Sequence, residues 1–344
     1  MKNITFAVVG SGFMGQIIAE AASELPYTQC VGAVDVDIKQ ARTLVEKCGG
    51  NAYASPEEML AKEKPEAVFI ATPEVFHREP ALAAIKAGAN LFVEKPLAVS
   101  LEDADAIIKA AKAAGLKLMT GHILRFEQTY AMIKSAIDEG SIGKFRSAYA
   151  RRVATIDEAR RLKGRISPLT YIGVHDFDQF LWYHPMPVKS VFARAIKGRV
   201  QEELGVYDVA WVMIEFADGA LGIEEVGWCL PEEWAKWQQP SSWGGFGDVR
   251  MNVIGTEGAL NINLTPMDLY GCNREGWKFP DTRHWPKMHG KINGALKAEV
   301  EHFFDCILYD REPLSGGENG RRAVEIMLAA ERSIAEDRVI SLPL

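Results

Sequence analysis

The turn Gly10-Ser11-Gly12-Phe13-Met14-Gly15 constrains the fold of this chain more than any other feature. It follows the apolar run Ile4-Thr5-Phe6-Ala7-Val8-Val9 and opens a segment in which Ile17, Ile18, Ala21, Ala22 and Leu25 keep the spacing of a core-facing helix, stopped by Pro26. Strand, glycine turn and helix in that order form the start of a βαβ unit. Gly10 permits the turn, Gly12 lets a diphosphate approach the backbone, Gly15 allows close helix-strand packing, and the helix N-terminus favours an anion. Asp35 ends the second apolar run 20 residues after Gly15, where a carboxylate bonds ribose hydroxyls and repels a 2′-phosphate. The pattern predicts NAD in preference to NADP. A glycine turn alone would fit any strand-to-helix junction; it is the register of strand, helix and acid that points to a dinucleotide.

Up to about residue 120 apolar runs alternate with segments of helical period, which predicts a doubly wound parallel sheet. Strands are expected at Ile4–Val9, Cys30–Val34, near Ala52, Ala67–Thr72, Leu91–Glu94 and Leu116–Thr120. Helices at 80–87 and 101–114 end at Gly88 and Gly115. Beyond residue 123 strand-like segments (147–155, 188–196, 206–216, 220–226, 249–254, 259–262) follow one another without intervening helices, with hairpin-type turns at 217–220 and 255–258. That succession predicts an α+β domain with a large, mainly antiparallel open sheet, one face covered by helices at 174–182, 295–308 and 320–336. At 344 residues two domains are expected, 1–123 for the dinucleotide and 124–344 for substrate binding and oligomerisation.

Composition narrows the partners. A net charge of -7 without a basic tail removes the electrostatic footprint of a nucleic-acid binder. No apolar run approaches the roughly eighteen residues of a membrane span. Five scattered cysteines form no CxxC pair, which predicts reduced thiols in a cytoplasmic protein and no metal site. A small molecule is the expected ligand.

Glu94-Lys95-Pro96 follows the run Asn90-Leu91-Phe92-Val93, placing a lysine at the end of a buried strand. Gly173-Val174-His175-Asp176-Phe177-Asp178 opens a helix in the second half of the chain. If that helix faces the sheet's carboxyl edge, Lys95 and His175 converge from opposite domains. The pair suits oxidation of a secondary alcohol: the imidazole takes the hydroxyl proton and the ammonium stabilises the charge developing on oxygen. Each residue alone would read as an ordinary loop lysine or helix-start histidine.

Together with Gly10-Ser11-Gly12-Phe13-Met14-Gly15, the pair Thr72-Pro73 with His77, Leu124-Arg125-Phe126 with Tyr130, and Val174-His175-Asp176-Phe177-Asp178, the Glu94-Lys95-Pro96 motif resembles the glucose-fructose oxidoreductase / inositol dehydrogenase / rhizopine-catabolism (Gfo/Idh/MocA) family. The resemblance implies a Rossmann domain, a second domain whose open sheet makes homo-oligomer contacts, and NAD(P)-linked redox chemistry on sugars or cyclitols. It maps the catalytic roles on Lys95 and His175 and cofactor contacts on Gly10, Gly12, Phe13, Met14, Gly15, Asp35, Thr72, Pro73, His77, Glu94, Lys95 and Arg125. One departure stands out. Inositol dehydrogenases of this family resemble Asp-x-x-x-His, whereas Tyr171 precedes His175 here by four residues. Tyr171 or Asp178 would then assist His175.

On the substrate side Lys95, Arg125, Arg152, Tyr171, His175 and Asp178 are the candidates; for Arg125 an interdomain ion pair is the other reading. Arg151, Arg152, Arg160, Arg161, Lys163 and Arg165 form a basic run that would either hold a substrate anion or make a solvated loop face. Trp228, Trp234, Trp237, Trp243 and Phe246 suit a sugar ring or a subunit interface. Three functions follow: an NAD-dependent dehydrogenase, a glycoside hydrolase that uses NAD transiently, and a non-catalytic NAD and sugar sensor, against which the retention of Lys95 and His175 argues.

Overall fold

Six short apolar runs become parallel strands: β1 (Ile4–Val9), β2 (Thr28–Val34), β3 (Asn51–Tyr53), β4 (Ala67–Ile70), β5 (Asn90–Glu94) and β6 (Leu118–Gly121). In the computed structural model, which describes residues 3–232, 234, 247–265, 269–274, 276–278 and 280–344, their order is β3-β2-β1-β4-β5-β6. All neighbours pair in parallel. Every residue of β4 is fully buried, as a strand covered on both faces requires. The crossovers are α1 (Phe13–Ser23), α2 (Ile38–Cys48), α3 (Pro56–Glu63), α4 (Arg78–Lys86) and α5 (Leu101–Ala114). Ser55 and Ser100 cap α3 and α5 by accepting the Glu58 and Asp103 N–H groups, and Gly115 ends α5 at φ 65°.

The chain divides into two compact units, Met1–Glu127 with Arg283–Val324, and Gln128–Thr282 with Glu325–Leu344. The division therefore falls four residues after the boundary expected at 123/124, and it returns 283–324 to the first unit. The helix Ala295–Leu308, expected over the second sheet, covers the first instead. Phe303 and Phe304 supply the reason. Their rings lie 5.3 to 5.8 Å from those of Phe6, Phe69 and Phe92, which line one face of β1, β4 and β5. Three phenyl groups on one sheet face need a cover, and this helix brings two more.

The second unit is built on a mixed seven-stranded sheet. Its strands are β7 (Phe145–Thr155), β8 (Val188–Ile196), β9 (Val209–Phe216), β10 (Leu221–Leu230), β11 (Asp248–Gly255), β12 (Ala259–Asn263) and Ile340–Ser341. They lie in the order β12-β11-β7-β10-β9-β8, with Ile340–Ser341 beyond β8. All pairs are antiparallel except β7 with β10. A parallel pair needs a crossover. The chain supplies it through α7 (Ile156–Arg161), a π-helical turn (Leu169–Gly173) and α8 (Val174–Tyr183) before re-entering at β8. The strands are thus not free of intervening helices; α9 (Arg199–Leu204) also separates β8 from β9, because Asp208 accepts the N–H groups of Gly198, Val200 and Gln201 at its start. Both hairpin turns form, closed by Phe216 N to Ala220 O and Gly255 N to Gly258 O at 2.9 Å.

The face of β10 that carries Gly222, Glu224, Val226 and Trp228 is covered: Phe180 of α8 lies against Gly222 and Glu224 against Gly173. On the opposite face the Tyr149 and Trp211 rings stack at 6.3 Å, and Trp211 and Met213 are partly exposed. Among the described residues no helix is long and apolar enough to cross a membrane.

Candidate active site

In the first unit the carboxyl ends of β1 and β4 meet at the point where strand order reverses. Gly10 takes φ 93°, and a Cβ there would stand 2.5 to 2.6 Å from the Ala71 and Thr72 backbone, so only glycine fits the turn. Gly15 is equally committed, since a Cβ would lie 1.9 Å from the Gly10 carbonyl oxygen. Gly12 differs: nothing lies within 4 Å of its absent side chain, and no side chain caps α1. Open space before an uncapped helix N-terminus is the cradle a diphosphate requires. The Ser11 and Asp37 N–H groups donate to the two Asp35 oxygens at 2.8 and 2.9 Å, orienting that carboxylate at the end of β2. These residues fit NAD.

Val36, Val75 and Phe76 also stand at this edge with exposed apolar side chains, in the loops after β2 and β4. Sequence reasoning passed over them. The signal was available: apolar residues in edge loops, where no core needs them.

Lys95 follows β5 directly and is half-buried. Its N–H donates to the Glu94 carboxylate at 3.1 Å. Burial pushes the Glu94 carboxyl up to about 7, against the lowering effect of the Lys95 charge. His77 is buried between two loops, its ring nitrogens 2.9 Å from the Pro96 carbonyl and 3.0 Å from that of Thr72. It therefore stitches the loop after β4, with Thr72 and Pro73, to the loop that carries Lys95. Burial lowers its imidazole pKa despite the two carbonyls, so the neutral ring donates to only one of them. Arg125 is buried and donates to the Leu314 carbonyl at 2.5 Å, within the same unit.

His175 belongs to the second unit, in the first turn of α8, and is half-buried. The π-helical turn leading into it sets Tyr171 on the preceding coil; such turns recur at functional sites. The Tyr171 hydroxyl accepts from Arg161 Nη2, whose guanidinium also covers the ring at 5.5 Å, and the Trp228 ring lies 6.4 Å away. Asp178 is buried one turn beyond His175.

The basic run divides among carboxylates of the fold. Arg151 pairs with Glu225 and Asp248, Arg160 with Asp157, Glu203 and Glu232, and Arg161 with Glu158. Arg152 grips Asp176 through Nε and Nη2 at 2.7 and 2.9 Å and reaches the Tyr130 hydroxyl at 3.0 Å. Four of the six basic residues of the run are thus paired within the second unit, while Lys163 and Arg165 stand exposed. Of the aromatic group, Trp228 is buried in the core, while Trp237, Trp243 and Phe246 lie outside the described residues.

A parallel sheet of this order, with an anion-ready glycine turn and an oriented acid at its switch point, defines a dinucleotide-binding protein with a second α+β unit. Residues 4–122 match the family model described as the oxidoreductase family with an NAD-binding Rossmann fold, and residues 130–261 match the GFO/IDH/MocA C-terminal domain. The chain belongs to the Gfo/Idh/MocA family of oxidoreductases. It is 28% identical to myo-inositol 2-dehydrogenase of Thermotoga maritima, covering 97% of each chain. It is 25% identical to 2,7-anhydro-N-acetylneuraminate hydratase of Mediterraneibacter gnavus, covering 99% of this chain and 97% of the relative. Among solved structures, GenD2 from gentamicin A biosynthesis in complex with NAD superimposes with a TM-score of 0.84 at 25% identity, covering 100% of this chain and 97% of that one.

Proposed function

We propose that the protein oxidises a secondary hydroxyl of a sugar, sugar derivative or cyclitol, or reduces the matching ketone, with Lys95 and His175 as the catalytic residues. The observation that carries the reading is the position of Lys95 directly after β5, on the same sheet edge as the Gly10 turn and tied through Pro96 and His77 to the loop after β4. Bound NAD supplies the hydride acceptor. Gly12, the uncapped start of α1 with Phe13 and Met14, Asp35, Thr72 and Pro73 would hold it, with Val36, Val75 and Phe76 offering apolar cover. In the oxidative direction His175 takes the hydroxyl proton, and the Lys95 ammonium donates to the oxygen while the carbonyl forms, so that one hydride and one proton leave the alcohol.

The test is a panel of inositols, sugars and keto-sugars with NAD or NADH, followed by reduced-nicotinamide absorbance, and the same panel with Lys95→Ala. Turnover is expected to fall at least about a hundredfold in the variant while NAD binding persists. Unchanged turnover in Lys95→Ala would refute the assignment.

A second reading is favoured by the hydratase relative and by Tyr171. In it bound NAD would take up and return one hydride, so that a C–H beside the transient carbonyl would be acidic enough for elimination or hydration with no net redox change. Tyr171 puts a hydroxyl, which can donate, where a carboxylate could only accept, which suits an acidic sugar. Substrate consumption without net NADH, by protein carrying bound cofactor, distinguishes it from dehydrogenation.

A further inference from the structure

Along the covered face of β10 the inward series Gly222, Glu224, Val226, Trp228 contains one ionisable group. Glu224 has 0% exposure, and neither of its carboxyl oxygens meets a hydrogen-bond donor. An ionised carboxylate in that position would give up its hydration for nothing.

The nearby cation is already committed, since both Asp176 oxygens are gripped by Arg152 at 2.7 and 2.9 Å. Those two charges cancel, so an ionised Glu224 would add an uncompensated one beside Asp176, which lies within hydrogen-bonding reach. Two buried carboxyl groups in contact do not both ionise; one keeps a proton and donates it to the other. With both Asp176 oxygens accepting from Arg152, the proton belongs to Glu224. Ala150 and Val212 flank Glu224 across the sheet, and Gly173 lies over it. Behind Arg152 stands the Tyr130 hydroxyl of α6 (Gln128–Asp138).

We propose that Glu224 is a neutral carboxylic acid donating to Asp176, and that the chain Tyr130–Arg152–Asp176–Glu224 is the device that positions the first turn of α8 and with it His175. Burial and the Asp176 charge both hold the Glu224 proton on, against the opposing effect of Arg152. His175 stands between two anchored points. Asp176, the next residue, accepts the hydrogen bond from the Glu224 hydroxyl. Gly173, two residues earlier, rests on the same carboxyl so closely that a Cβ would stand 3.2 Å from each oxygen. Glu224 is thus a positioning residue; that it matters for turnover rests on the assignment of His175 above, whereas its protonation does not.

Two measurements on the cofactor-free protein test this. Infrared difference spectra of wild type against Glu224→Gln should show a protonated-carboxyl stretch in the wild type at pH 7 that persists at pH 9. Histidine-labelled protein should show the same His175 imidazole titration in wild type and Glu224→Gln, whose amide still donates to Asp176. In Glu224→Leu, which cannot donate, the titration should move by at least about threefold in proton affinity. A missing carboxyl band overturns the protonation, and this comparison needs only the isosteric variant. Identical His175 behaviour in Glu224→Gln and Glu224→Leu overturns the positioning role. If His175 proves dispensable for turnover, the functional assignment fails while both spectroscopic results stand.

Discussion

Gly12 and Gly15 lie three residues apart in one motif, yet alanine should fail at each for a different reason. At Gly12 the backbone is extended (φ -68°, ψ -165°) and no atom lies within 4 Å of the new methyl, so the protein alone accepts it. The methyl instead occupies the space in front of the uncapped N–H groups of α1, where a diphosphate would accept one or two charge-assisted hydrogen bonds. Losing one such bond costs about 2 kcal/mol, or roughly thirtyfold in Kd. At Gly15 the methyl would stand 1.9 Å from the Gly10 carbonyl oxygen and 3.2 Å from Val8 Cγ1, against an ordinary contact of 3.4 Å or more. The helix must therefore lift off β1 by about 1.5 Å, an overpacking cost on the order of 1–3 kcal/mol or above before any ligand is present. NADH fluorescence titration with parallel thermal unfolding separates the two. Gly12→Ala should keep the wild-type melting temperature and lose affinity, whereas Gly15→Ala should lose stability first. Wild-type NADH affinity in Gly12→Ala would refute the placement of the diphosphate over this turn.

Phe303→Ala should destabilise the first unit by about 3–5 kcal/mol, read by denaturant unfolding, because its ring fills the space against Phe69 and Phe92. Glu94 sets a pH dependence of definite sign. Its folded value of about 7 lies above the ordinary 4.5, so the folded state holds the proton more tightly. Stability is full below about pH 4.5 and is lost as pH rises through 7, by at most about 3 kcal/mol, and Glu94→Gln should flatten that slope in thermal melts from pH 5 to 8. His77 works in the opposite sense: a lowered imidazole makes stability full above about pH 6.5 and draws it down as the solution is acidified, a decline that His77→Gln should remove. If the open sheet face carries the oligomer contact expected of this family, Trp211→Glu should shift the particle to lower mass by light scattering, with secondary structure unchanged.

What the sequence revealed followed the range of the interactions involved. The glycine turn, Asp35 and the serine-capped or glycine-ended helices depend on neighbours a few residues away, so their spacing carried the information. The hairpins at 217–220 and 255–258 were legible for the same reason. The cover of the first sheet was not, because the partners of Phe303 and Phe304 stand more than 200 positions earlier and apolar helix periodicity does not say which sheet it faces. Nor did alternation along β7 and β10 encode that they run parallel, since strand direction is set by the helical crossover between them. The pairing of the arginines was hidden for a related reason. A cluster of like charge within 15 residues looks like a ligand trap until Glu203, Glu225, Glu232, Asp248 and Asp176 are brought to it. Glu224 left a legible trace, a glutamate in the inward half of an alternating strand, but its partner could be recognised only once Asp176 was seen to be spent on Arg152.

The exchange of a carboxylate for Tyr171 and the protonation of Glu224 bear on the same question of which substrate this enzyme takes. A carboxylate four residues before the histidine would accept a hydrogen bond from a substrate hydroxyl, which suits a cyclitol with a hydroxyl on every carbon. In this chain that position carries a phenol whose oxygen accepts from Arg161, itself paired with Glu158. Of the carboxyl groups flanking the first turn of α8, Asp176 is held by Arg152 and Glu224 has no charge to offer. The local balance therefore moves from accepting toward donating hydrogen bonds, and a substrate with a carbonyl or carboxylate gains relative to a neutral polyol. Replacing Tyr171 by Asp should reverse that preference. Competition between myo-inositol and an acidic sugar for the NAD-loaded protein would measure it, and an unchanged ratio would show that Tyr171 does not read the substrate.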